Sequence, residues 1–132
     1  MRERYENGVR VIERWDRVFR AVSSEPRRQL VVSLLDAPAG ESVALPEGAI
    51  SATVPDEPRD LRRSLRHRHL PLLADAGFVE WSADPFVASR GPRFDEVAVV
   101  FERLHAGAGE LPDSLVIGCR RLEREREFCC GD

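Results

Sequence analysis

Arg59, Arg62, Arg63 and Arg66 recur at intervals of three, four and seven residues. On a helix turning about 100° per residue they gather on one side, about 120° round from Leu61, Leu65, Leu72 and Ala76. Arg68 falls near the edge of the apolar face instead. Guanidinium groups arranged in this way neutralise phosphates or fork onto the edges of guanines, and His67 is placed to sit near a phosphate. Arg90 and Arg93, farther along the chain, form a second tier of such groups.

Other chemistry has less to stand on. His67 and His69, two residues apart on a helix, point in different directions, and no third ligand lies nearby, so no metal is expected there. Cys119, Cys129 and Cys130 do not have the paired spacing of a structural zinc site, and they are too few and too clustered for a disulfide framework. There is no nucleophile motif, no glycine-rich phosphate loop and no pair of carboxylates in an apolar setting. The expectation is a non-enzyme without cofactor or metal.

The elements that must carry these arginines follow from apolar spacing. Val11, Ile12, Trp15, Val18, Phe19 and Val22 recur at helical steps and predict a first helix. Ser23 or Ser24 as a cap, Pro26 in the first turn and the stripe Leu30, Val31, Leu34, Leu35 predict a second, stopped by Pro38 and Gly40. Pro38, Pro46, Pro55 and Pro58 make the stretch between mostly loop, with at best a helical turn near Pro46 to Ser51. The basic helix follows, with a kink or restart expected around His69 to Pro71, because Pro71 has no amide hydrogen and crowds the carbonyl of His67. Gly77 ends it. Phe78 to Trp81 and Phe86 to Ser89 read as two strands about a turn at Ala83-Asp84-Pro85. Phe94, Val97, Ala98, Phe101 and Leu104 predict a further helix. From Pro112 onward one more helix is expected, with Leu115, Cys119 and Leu122 on one side.

A chain of 132 residues has the length of one ordinary domain. All 20 of its basic residues are arginine, and its net charge is −3, so the positive row is a local feature and not the sign of the whole molecule. No apolar run approaches a membrane span and no signal peptide is visible, which together with the sparse cysteines points to a cytoplasmic protein.

The order helix, helix, loop, basic helix, hairpin is that of a winged helix. In "RVFRAVSSEPRRQLVVSLLDAP", "HLPLLADAGFVEW" and "VASRGPRFDEVAVVFERL" the chain resembles the ArsR-type winged helix-turn-helix regulators, most closely their small haloarchaeal (archaeal) members. The middle motif is the most specific. Leu72, Leu73, Ala76, Gly77, Phe78 and Val79 stand where the family's recognition helix runs into the first wing strand. Between Glu41 and Pro58 the chain departs from the family, which has a well-formed helix there. The resemblance implies a mainly α fold with a short β-hairpin wing, spanning residues 9–91, followed by a C-terminal helical extension over residues 92–132. It also implies a transcription regulator that binds double-stranded DNA as a homodimer, with Arg59, Arg62, Arg63, Arg66, His67, Arg90 and Arg93 as contacts and the helix from Phe94 at the twofold interface. The alternative is a winged-helix module that binds a protein partner and no DNA. Target sequence, effector and direction of regulation are not encoded in any motif.

Overall fold

The computed structural model describes residues 2–51, 53 and 57–130, with the backbone alone for residues 128–130. Asp56, which by sequence neighbours the arginine row, and the side chains of Cys129 and Cys130 lie outside the described residues. The chain is mainly helical with one small antiparallel sheet. Helices α1 (Arg2–Ala21) and α2 (Glu25–Asp36) come first, followed by strand β1 (Val43–Ala44) and a 3-10 turn at Glu47–Ala49. A helical run then passes through α3 (Pro58–Ser64), a π-helical turn (Leu65–His69) and α4 (Leu70–Asp75). The hairpin of β2 (Val79–Ala83) and β3 (Phe86–Arg90) leads to α5 (Phe94–Ala106), two further 3-10 turns and α6 (Arg120–Cys130). No described helix is long and apolar enough to cross a membrane.

The core shows why these elements close on one another. Leu30, Val31 and Leu34 of α2, Leu61 and Leu65 of the basic run, Phe78 and Val79 before and in β2, and Phe94 and Val97 of α5 are all buried in one cluster. Full burial of each such side chain is worth about 1.5–3 kcal/mol, which is how short elements hold together. Because α5 supplies Phe94, Val97, Ala98 and Phe101 to that cluster, the core continues past residue 91.

Four differences from the sequence expectation have local causes. Helix α1 begins at Arg2, well before Val11, and residues 2–16 are exposed along its whole first part. Apolar spacing gave no signal for residues 2–10. Val43 and Ala44, read as loop, pair with Ala88 and Val87 to make a third strand, in the order β1-β3-β2. Two residues are too short for an alternation pattern to show. In the tail, Leu115 closes a 3-10 turn and is 60% exposed, so it does not share a helical face with Leu122. At the second helix, Ser24 occupies the cap position without a side-chain cap bond, and Pro26 lies in the first turn as expected.

The restart expected around His69 to Pro71 takes the form of a π-helical turn: the backbone widens by one residue just before the proline, the Leu70 amide donates to the Leu65 carbonyl five residues back, and α4 begins at Leu70. A π-helical turn relieves the conflict that a proline imposes on the carbonyl four residues before it. The widening also moves the buried face: Leu61, Leu65, His69 and Leu73 are buried at every fourth position, and Leu72 is only half-buried. Arg68, placed by a regular helix near the apolar edge, is exposed.

Two glycines fix the junction with the hairpin. Gly77 has φ +81°, a left-handed conformation that favours glycine, and its carbonyl accepts the Arg93 amide at 2.8 Å. At Gly91 an added Cβ would lie 2.5 Å from that same Gly77 carbonyl, so only glycine lets the two backbones meet there.

Candidate nucleic-acid interface

The basic run is fixed from its buried side. Pro58 starts α3, where a missing amide hydrogen costs nothing, and the Leu61 amide donates back to Glu57 at 3.0 Å. With Leu61, Leu65, Leu70 and Leu73 held in the core, the opposite side faces solvent. Arg59, Arg62, Arg63, Arg66, His67 and Arg68 are all exposed there. Glu57 and Asp60 are the nearest described acids, and neither makes an ion pair with any of them. Among the described residues the guanidinium groups of Arg59, Arg63 and Arg66 have no hydrogen-bond or ion-pair partner.

Arg62 differs from its neighbours, because its guanidinium carbon lies 5.2 Å from the centre of the Phe86 ring at the start of β3. Phe86 in turn meets Trp81 edge-on at 6.4 Å. A cation over an aromatic face is worth about 0.5–1 kcal/mol at an exposed site, enough to bias the Arg62 rotamer towards the hairpin. The basic run and the hairpin therefore share one face.

The second-tier arginines separate. Arg93 is exposed, its stem packing over Gly77 at the base of the hairpin. Arg90 points inward: its Nε and Nη2 donate to the Leu34 carbonyl at 3.1 and 2.9 Å, its Nη2 also reaches the Ala37 carbonyl at 3.2 Å, and its guanidinium lies 5.0 Å over the Phe94 ring. Those acceptors are carbonyls at the C-terminal end of α2, the negative end of the helix dipole. Arg90 thus ties β3 to α2, with its donors engaged inside the molecule. At the outer end of the hairpin stand Asp84 and Pro85, both exposed, and Glu80 is exposed on β2, so the fully exposed charges of the hairpin are acidic, while its one base, Arg90, is half-buried.

His69 and a residue the spacing did not single out form a buried polar corner. Arg27 of α2 is 6% exposed and His69 is 3% exposed, with Arg27 Nη1 lying 2.7 Å from His69 Nδ1. Arg27 Nε donates to the Ala21 carbonyl, and Nη2 donates to the Arg20 carbonyl and to Ser23 Oγ. Burial together with the cations Arg68 and Arg28 lowers the Arg27 pKa. Burial, Arg27 and Arg68 push His69 down to about 4, so it is neutral at pH 7. Among the described residues no carboxylate is bonded to Arg27; the cation rests on the C-terminal carbonyls of α1 instead. In sequence Arg27 is indistinguishable from Arg28 beside it, and only the fold selects one of them for burial.

Among the described residues there is no group of three or more His, Cys, Asp or Glu side chains placed to hold a metal ion. No family model matches this chain, and no curated protein or solved structure shows significant similarity to it.

Proposed function

We propose that the protein is a DNA-binding transcription regulator of winged helix-turn-helix type, with the run from Pro58 to Asp75 as its recognition element. One observation carries the reading: a chain of net charge −3 presents Arg59, Arg63 and Arg66 on one exposed helical side without partners among the described residues, while the opposite side is locked in the core. Unpaired arginines on a rigid, convex element are suited to phosphates and to guanine edges in a major groove, where each phosphate neutralised releases counterions. Arg62, braced on Phe86, and His67 extend the row, and Arg93 adds a backbone contact at the hairpin base. Arg90 serves the site from inside by fixing β3. The likeness of "HLPLLADAGFVEW" to the ArsR-type regulators supports the same reading.

Such a reader is expected to work as a homodimer. Val11, Trp15 and Phe19 of α1 and Val99 and Leu104 of α5 are exposed, and they line a groove of about 660 Å³ bordered by the Arg14 to Glu96 ion pair. A second copy of the same face covers it and repeats the recognition elements on one side, about 34 Å apart for one duplex turn. The acidic outer end of the hairpin favours a second reading, in which the arginine row and that acidic end together dock a protein partner of mixed charge and no DNA. Binding of a labelled duplex pool at stepped salt separates the two. A DNA reader loses affinity on a log-log slope set by its phosphate contacts, and a sequence preference survives at high salt. Equal failure to bind every duplex at low salt makes the protein partner the better account.

A further inference from the structure

We propose that Arg27 and His69 form a proton-sensitive latch that fastens the basic helical run to the corner between α1 and α2. The latch depends on one lone pair. A guanidinium can only donate, so at 2.7 Å His69 Nδ1 must accept, and the ring hydrogen sits on Nε2. A proton taken from solvent onto Nδ1 consumes the acceptor and turns the bond into two adjacent cations, both more than nine-tenths buried. Arg27 is held against the ring, since its Nε and Nη2 are committed to two α1 carbonyls and to Ser23 Oγ.

The surrounding charges make relief by a local acid unattainable. Helix α2 contributes Arg27 with Arg28 beside it, the basic run contributes Arg68, and α1 contributes the neutral carbonyls of Arg20 and Ala21. Asp75, farther along the run, is exposed to solvent. Among the described residues no carboxylate pairs with Arg27. Protonation is therefore accommodated by moving His69 out, and the backbone is weakest at that point, since His69 closes the π-helical turn. The hairpin is also held by its own β2 to β3 ladder, and α5 by Phe94, Val97, Ala98 and Phe101 in the core.

The direction of the effect follows from linkage. An opened run titrates at the ordinary value of 6.5, and the closed one at about 4, so the opened form binds the extra proton between those limits. Opening is therefore favoured by up to about tenfold per pH unit as pH falls through that window, and is constant above it. Whatever ligand the run holds, its seating becomes acid-sensitive.

The experiment is a nitrogen-edited NMR titration of the histidine rings in the intact protein, combined with amide hydrogen exchange from pH 7 to pH 4. The expected result is a neutral His69 ring with its hydrogen on Nε2 down to about pH 4.5, and protection factors that fall with pH in the Pro58–Asp75 run before they fall in β2 and β3. His69→Asn keeps an acceptor near the Nδ1 position and cannot titrate, so its run should hold constant protection over the same range. A His69 ring that titrates near 6.5, loss of protection in run and sheet together, or unchanged acid sensitivity in His69→Asn overturns the latch. If the Asn variant does not fold, the ring titration and the protection profile of the parent decide alone. Failure of the parent to bind any duplex at pH 7 sinks the regulator reading and leaves these measurements untouched.

Discussion

Arg27 and Arg66 are the same side chain in opposite surroundings. Arg66 stands exposed on a helical side with no partner among the described residues, so removing it should cost the fold almost nothing and any value it has belongs to a ligand. Arg27 is buried, with four hydrogen bonds to neutral acceptors, so removing it strands carbonyls, a hydroxyl and an imidazole in the interior. A buried cation is tolerated there because the carbonyl end of α1 supplies a negative potential, and because the neutral histidine supplies a lone pair. Exposed arginines are thus free for binding, and the buried one sets where they stand. The two regions meet on one helical run, since His69 and Arg66 are less than one turn apart.

The comparison can be broken most severely at Arg27. Arg27→Met, which fills similar volume without donors, is expected to destabilise the fold by about 2–4 kcal/mol, read as a lower urea midpoint with unchanged slope. Arg27→Lys should recover only part of this, because an ammonium lacks the planar fork. A midpoint shift below about 0.5 kcal/mol would put Arg27 in the same class as Arg66.

Acid should produce the next largest effect. With folded-state His69 near 4 against 6.5 when unfolded, stability is fully present above about pH 6.5 and falls as pH drops towards 4. Over that part of the window the loss is about 2 kcal/mol, measured as the difference in urea midpoint between pH 7 and pH 4.5. His105 is also lowered, by burial and Arg121 with Glu125 opposing, and it contributes with the same sign from the α5 to α6 contact. His69→Asn is therefore expected to flatten the curve without abolishing its slope.

The exposed row should behave oppositely. Arg62→Ala with Arg66→Ala is expected to weaken duplex binding, with a salt slope shallower by about one unit for each phosphate no longer neutralised, while melting temperature changes little. If one of the two reads a base, its removal should cost about 1–3 kcal/mol on the preferred sequence and far less on unrelated DNA. A double variant that binds every duplex as the parent does, at matched salt, transfers the row to a protein partner. Arg90 stands between these cases: Arg90→Ala should cost about 1–2 kcal/mol of stability by removing its bonds to the α2 carbonyls, with the salt slope unchanged. A changed slope would mean that Arg90 reaches phosphate after all. Replacing Trp15 with Glu should turn a dimer into a monomer in sedimentation at micromolar concentration without touching that slope per protomer.

Several elements were legible in the residues because their signals are local. The stripes of α2 and α5, the exposed arginine row, and the hairpin of Phe78 to Trp81 against Phe86 to Ser89 follow from spacing and turn chemistry, and each reappears with its bounds moved by a residue or two. A mainly helical chain with a short β-hairpin was also legible in the residues, and the structure is mainly helical with a small antiparallel sheet. Strand β1 was not legible, because two residues form a strand only when β3 offers an edge to pair with.

The amino-acid sequence by itself determined where charge and apolar surface fall along each helix, since side-chain direction repeats with the backbone turn. Tertiary structure alone decided which arginines are free to bind. One added residue in the π-helical turn rotated everything beyond it, burying His69 and exposing Arg68. Packing then drew Arg27 and Arg90 inward onto the ends of α1 and α2 and left Arg59, Arg63 and Arg66 outside. The physical reason is that a guanidinium's surroundings are set by which backbone carbonyls the fold leaves unpaired, and those belong to helix ends far away in sequence.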